Sequence, residues 1–196
     1  MFTRKTFQNR YEGKMKAFKI CGNVYFVGCY PASSHLIDTG DGLILIDTGY
    51  ADTLHLLINS IYELGFSAYD IKYIIHTHWH YDHTEGTISL FFKTMDNGIT
   101  YQVGTFGGTG ANTLAKGAFD YDNCRADYRN SLNRLREKQV DVFIGNHVWN
   151  NDTEPKGELL LKTGENKFID GRIWHKFLDF CEKRLDDVIK KEAESK

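Results

Sequence analysis

Proline is scarce: Pro31 and Pro155 are the only two in 196 residues, so no proline-rich linker divides the chain and few strands or helices are interrupted. Cysteine is also sparse, with four residues. Cys21, Cys29, Cys124 and Cys181 stand far apart with no CxxC spacing, which excludes a zinc knuckle and a disulfide framework and leaves buried thiols as the expectation. No stretch approaches the roughly 18 apolar residues of a membrane span. The opening MFTRKTFQNRYEGK lacks the apolar middle of a signal peptide, so a cytoplasmic chain is expected. The formal charge is only −2, with a pI near 6.4 and no block of like charge, so neither nucleic acid nor an anionic membrane is expected as partner. A small-molecule substrate fits better. There is also no phosphate loop ending in Lys-Ser/Thr and no GxSxG elbow, which removes the common nucleotide-binding and serine-nucleophile chemistries.

What remains is a chain 41% hydrophobic and 26% charged, long enough to bury a core. Residues 1–15 read as an N-terminal extension and 16–196 as a single domain. KAFKICGNVYFVGC (16–29) is two short β-branched and aromatic runs broken at Gly22-Asn23, a hairpin. HLIDTG and LILIDTG, joined through Gly40-Asp41-Gly42, form a second hairpin. DTLHLLINSIYEL (52–64) spaces Leu54, Leu57, Ile58 and Ile61 on one helical face, with Asp52 as N-cap and Gly65 as stop. IKYII is expected as a buried strand. TISLFFKTM and ITYQVG flank Asp96-Asn97-Gly98, a hairpin with explicit turn chemistry. Residues 121–138 are expected as a helix, VDVFIG as a strand, and 172–190 as a closing helix with Trp174, Phe177, Leu178, Cys181, Leu185 and Val188 inward. The glycine-rich GTFGGTGAN (104–112) is expected as a loop. Sheets sandwiched between helix layers follow from this order.

The chemistry is concentrated in HTHWHYDH (76–83), where four histidines and an aspartate fall within eight residues. His78 and His80 are two apart at a strand end, so both rings leave one face and can converge on a cation. Asp82 and His83 follow as the chain turns and can reach a neighbouring position. Imidazole with carboxylate favours Zn²⁺, with iron or manganese as alternatives. His76 shares the face of His78 but lies a further ~7 Å back along an extended strand. His55 and His175 read as helix-surface residues and His35 as an exposed loop residue.

THWHYDH preceded by LILIDTG resembles the metallo-β-lactamase-fold metallohydrolases, and HTEGT, the FGG turn and IGNH suggest relatives of the third subclass of metallo-β-lactamases. The resemblance covers about residues 16–190. It implies an αββα sandwich of the α/β (α+β) class, with the metal site at one edge of the two sheets. It further implies His78 and His80 as ligands of a first metal and Asp82, His83 and His147 as ligands of a second. Asp47 in LIDTG is implied as a supporting acid; its simpler role is that of a turn aspartate at a strand end. The implied activity is zinc-dependent hydrolysis of a small amide, lactam or ester, β-lactams among them, with Asp82 orienting the attacking water.

One departure stands out. In the family a long excursion follows the aspartate–histidine pair, and a later glycine–histidine–threonine motif completes the first site. Here DHTEGTISLFF runs both motifs together, as though the segment after His83 were deleted. The expectation is therefore a shortened sandwich, binding one or two ions, with a second possibility of a metal-binding scaffold of weak or no catalysis. The uncovered apolar strand TISLFF also leads to the expectation of a homodimer.

Overall fold

The computed structural model describes residues 13–30, 32–77, 88–108, 110–117 and 124–195. Short runs of alternating apolar residues make the strands. Phe18–Cys21 (β1) and Val24–Phe26 (β2) turn back at Gly22, whose φ of +53° suits the tight reversal. His35–Asp38 (β3) and Leu43–Ile46 (β4) form the second hairpin, and Ile71–Ile75 (β5) joins β4 in parallel. The first sheet thus has the order β1-β2-β3-β4-β5. Ser89–Asp96 (β6) and Ile99–Phe106 (β7) pair antiparallel around Asn97 and Gly98, both at positive φ as a two-residue turn of the I′ kind requires. Val142–Phe143 (β8) adds to β7 in parallel and closes the second sheet, β6-β7-β8.

Both parallel joins are made through helices, as parallel strands demand. Leu54–Glu63 (α1) links β4 to β5 and lays Leu57 and Ile61 on Val27, Leu36, Leu43 and Leu45 of the first sheet. Cys124–Arg136 (α2) precedes β8. The chain ends in Thr153–Thr163 (α3) and Arg172–Glu194 (α4). Between the sheets Phe18, Ile20, Val24, Phe26, Ile37 and Ile46 meet Val103, Val142 and Ile144. On the far side of the second sheet Phe106 and Phe143 pack with Leu132, Leu135, Trp174, Phe177, Leu178 and Cys181 from α2 and α4. Three apolar layers therefore alternate with helix, sheet, sheet and helix, which is the αββα sandwich.

Trp174 is the anchor of the outer layer. It is fully buried, its ring stands edge-on to Phe91 and Phe143, and its indole N–H donates to the Leu135 carbonyl at 3.0 Å. Arginines of α2 face acids of α4 along the same seam: Arg125 to Glu192, Arg129 to Glu182 and Asp186, Arg136 to Asp179 and Glu182.

Several sequence expectations change. β5 is not buried: Lys72, Tyr73 and Ile74 are exposed, because β5 is the last strand of its sheet and nothing among the described residues pairs with its outer side. His35 is not an exposed loop residue but lies buried in β3, its ring edge-on to Phe26. Asp52 is not the N-cap of α1; it sits in a 3-10 turn, Ala51–Thr53, that precedes the helix. The helix α3 was not anticipated. Pro155 falls in its first turn, where an amide hydrogen is not needed, and Gly157 packs its bare backbone on Phe18. Gly164, at φ +76°, ends it by donating to Leu160. All four cysteines are free and buried as expected. Among the described residues no helix is long and apolar enough to cross a membrane.

Replacing Trp174 with Ala opens the α2–α4 layer and removes one of the two hydrogen bonds to the Leu135 carbonyl, which keeps the Lys138 amide. The expected loss is about 3–5 kcal/mol of unfolding free energy in urea denaturation, with the two-sheet core left otherwise intact.

Candidate metal centre

The end of β5 is held by one carboxylate. Asp47 stands just after β4 at φ +61°, a left-handed conformation that Asp and Asn tolerate better than most residues. Its amide donates to the Ile75 carbonyl at 2.8 Å and continues the β4–β5 ladder by one bond. Its two carboxylate oxygens then accept from Thr77, one from the amide at 2.7 Å and one from the hydroxyl at 2.6 Å. Asp47 and Thr77 are both buried. Asp47 is thus a turn aspartate and a support at once: it fixes the residue that immediately precedes His78.

A chain of hydrogen bonds continues from Thr77 into the second sheet. The Thr77 carbonyl accepts from the Ile88 amide at 2.5 Å, and the Ile88 carbonyl accepts from the Gly107 amide at 3.1 Å. Gly107 admits this approach because it has no side chain; a Cβ there would fall on the Thr77 carbonyl oxygen. The Gly107 carbonyl in turn accepts from the Asn146 side chain at 3.3 Å. Three links therefore connect the residue before His78 with the residue before His147. Thr77 and Ile88 touch although ten residues separate them in sequence.

His147 is carried on a short, heavily tied turn. It sits in extended conformation just before the 3-10 turn Val148–Asn150, and its carbonyl accepts from the Asn150 amide at 3.0 Å. The Asn150 side chain donates to Asn146 at 2.6 Å, and the Asn151 side chain donates to the Phe143 carbonyl. Lys156, from α3, donates to Asn151 and lies over the Phe168 ring. Burial lowers the pKa of this lysine below its usual value, opposed by Asp152 and Asp170. The His147 ring is buried and stacks on Trp149, with centroids 4.3 Å apart and planes 9° from parallel. Trp149 in turn meets Tyr30 edge-on at 6.5 Å.

Of the expected ligands, His147 alone lies among the described residues; His78, His80, Asp82 and His83 lie outside them, as does the junction at His83–Thr84. Among the described residues no three His, Cys, Asp or Glu side chains group as a metal site. His76 is half-buried, and its Nδ1 is enclosed with no hydrogen-bond partner among the described residues. His55 and His175 are exposed on helices, as expected. Two contributors were missed from the sequence: Thr77, whose role needs the contact with Asp47 thirty residues away, and Trp149, whose spacing from His147 signals nothing until the 3-10 turn brings the rings together.

Residues 27–105 match the family profile described as the metallo-beta-lactamase superfamily. No curated protein matches the chain. Among solved structures the chain is similar to BJP-1, a subclass B3 metallo-beta-lactamase of Bradyrhizobium japonicum, with a TM-score of 0.85 and 19% identity over 96% of this chain and 98% of that one. Native FEZ-1 metallo-beta-lactamase from Legionella gormanii gives 0.81 and 21% over 93% and 97%. The metallo-beta-lactamase GOB-18 from Elizabethkingia meningoseptica gives 0.77 and 21% over 93% and 95%. At about one residue in five, these likenesses speak for the fold.

Replacing Asp47 with Ala removes both bonds to Thr77 and leaves an alanine at positive φ, whereas Asp47→Gly removes only the bonds. Both variants should lose stability in urea, Ala by about 1–2 kcal/mol more than Gly. Equal losses would show that the backbone at Asp47 carries no strain.

Proposed function

We propose, from the sandwich fold and from the profile match over residues 27–105, that the chain is a member of the metallo-β-lactamase superfamily and a zinc-dependent hydrolase of small amides, lactams or esters, β-lactams among them. One observation carries the reading. The hydrogen-bond chain Thr77–Ile88–Gly107–Asn146 ties the start of the HWHYDH segment to the turn that holds His147. Thr77, next to the expected donor His78, and Asn146, next to the expected donor His147, are thereby joined through two intermediates, which supports bringing donors distant in sequence to one site.

The donor chemistry fits zinc. Imidazoles from His78, His80, His83 and His147 and the Asp82 carboxylate form a borderline set that zinc accepts readily, and iron or manganese would take similar donors. His78 and His80 would hold a first ion and Asp82, His83 and His147 a second. When bound, zinc supplies water activation near neutral pH and polarises a carbonyl. Asp82 would orient a water for attack on that carbonyl, and the Asn146–Asn150 hydrogen bond would hold the turn that carries His147. Trp149 and Tyr30 give this edge an aromatic flank against which an apolar substrate group can rest.

A second reading has its own observation. Tyr73 is 65% exposed and Ile74 52% exposed on β5, and Ile88, bonded to Thr77, is 42% exposed, so the described residues around Thr77 leave this edge poorly covered. An edge this open admits water, which weakens every electrostatic interaction used in catalysis. The protein would then bind metal and hydrolyse slowly, acting chiefly as a binding or scaffold protein. Turnover of a chromogenic β-lactam and of a lactone ester, measured at known metal content, separates the two readings.

The purified chain should retain zinc at fewer than two ions per molecule after dialysis, measured by elemental analysis. Asp82→Ala should lose most of that metal, since it removes the one carboxylate of the set. Two tightly held ions would show that a further donor, His76 being the nearest in sequence, completes the first site; none would end the metal reading. The open strands β5 and β6 also support a homodimer, in which β6 pairs antiparallel with its own copy across a two-fold axis. Light scattering over a concentration series should show mass rising toward twice that of one chain.

A further inference from the structure

The ring pair His147–Trp149 is the most specific arrangement on this edge. The indole covers one face of the imidazole in near-parallel contact at 4.3 Å, yet Trp149 itself is 37% exposed, a costly place for so large an apolar side chain. Burial of the tryptophan does not explain its position. A stack blocks rotation of the imidazole about its own side-chain bonds and occupies only a π face. The ring nitrogens lie at the edge, in the plane, where a stacked ring does not cover them. Trp149 is held in turn by the edge-on contact with Tyr30, whose amide donates to the Gly13 carbonyl at 2.7 Å. The indole is also the aromatic ring that most favours a nearby cation, and an imidazole bound to a divalent ion carries part of that ion's charge.

We propose that Trp149 is a positioning residue of the metal centre, which fixes the His147 ring and stabilises its metal-bound form over its free form. The inference rests on the assignment of His147 as a ligand. It differs from that assignment in what it predicts, because it places part of the metal affinity on a side chain that has no donor atom to offer zinc.

The test uses the full chain and Zn²⁺ titrated against a chromophoric chelator. Trp149→Ala should weaken zinc binding about tenfold, while Trp149→Phe, which keeps a stacking face, should stay within about threefold of the parent. In a His147→Ala background the same Trp149→Ala change should have no effect on residual zinc affinity, whereas a general loosening of the fold would weaken both backgrounds alike. In the metal-free chain the carbon-bound ring protons of His147 should resonate upfield through the indole ring current and return toward ordinary positions in Trp149→Ala. If the parent binds zinc and Trp149→Ala binds it equally well, the positioning role is overturned and the metal centre stands. If the parent binds no zinc, the metal centre itself falls. Unshifted His147 resonances overturn the stack whatever the metal result.

Discussion

A single buried carboxylate decides where the edge of this sandwich begins. Asp47 must adopt a left-handed backbone to turn off β4, and in doing so it presents both oxygens to Thr77. The two bonds stop β5 at a defined residue and aim the chain out of the first sheet. Everything downstream inherits that constraint: Ile88 is received by the Thr77 carbonyl, Gly107 by Ile88, and Asn146 by Gly107. Each link joins a different element, so β5, β6, β7 and the loop after β8 share one hydrogen-bonded seam. The apolar contact between sheets packed face to face is non-directional and sets no register. The seam adds direction where Thr77, Ile88, Gly107 and Asn146 meet.

Much of the fold was legible because it is local. Gly22-Asn23, Gly40-Asp41-Gly42 and Asn97-Gly98 are turns that their own residues dictate, and all three hairpins form where expected. The inward face of the last helix was equally plain from the spacing of Trp174, Phe177, Leu178, Cys181 and Leu185, all of them buried. What failed was context. The apolar composition of IKYII reads as a buried strand, but burial depends on what lies beside a strand, and β5 is an edge. His35 is polar and follows a loop, yet the phenyl ring of Phe26 on the neighbouring strand encloses it. The helix α3 stayed hidden because Gly157 in its interior lowers helix propensity, and only the tertiary contact with Phe18 gives that glycine a reason.

The candidate site divides in the same way. Ligand types and spacing are properties of HTHWHYDH and could be read directly. The supports of the site are contacts between distant residues, thirty apart for Asp47 and Thr77 and thirty-nine for Gly107 and Asn146. Neither pair has a motif. Their presence gives the histidine segment a defined point of departure and gives His147 a defined seat.

The ion pairs between the outer helices bear on association as well as on packing. In the ion pairs along their common seam α2 supplies the arginines and α4 the carboxylates, so each helix complements the other. Such exposed pairs add little to stability. Their segregation by sign acts as a sorting rule: it permits the one helix pairing found within the chain and penalises like-with-like helix contacts between chains, leaving the uncharged stretches of the strand edges as the surfaces on which two molecules can meet without a charge conflict.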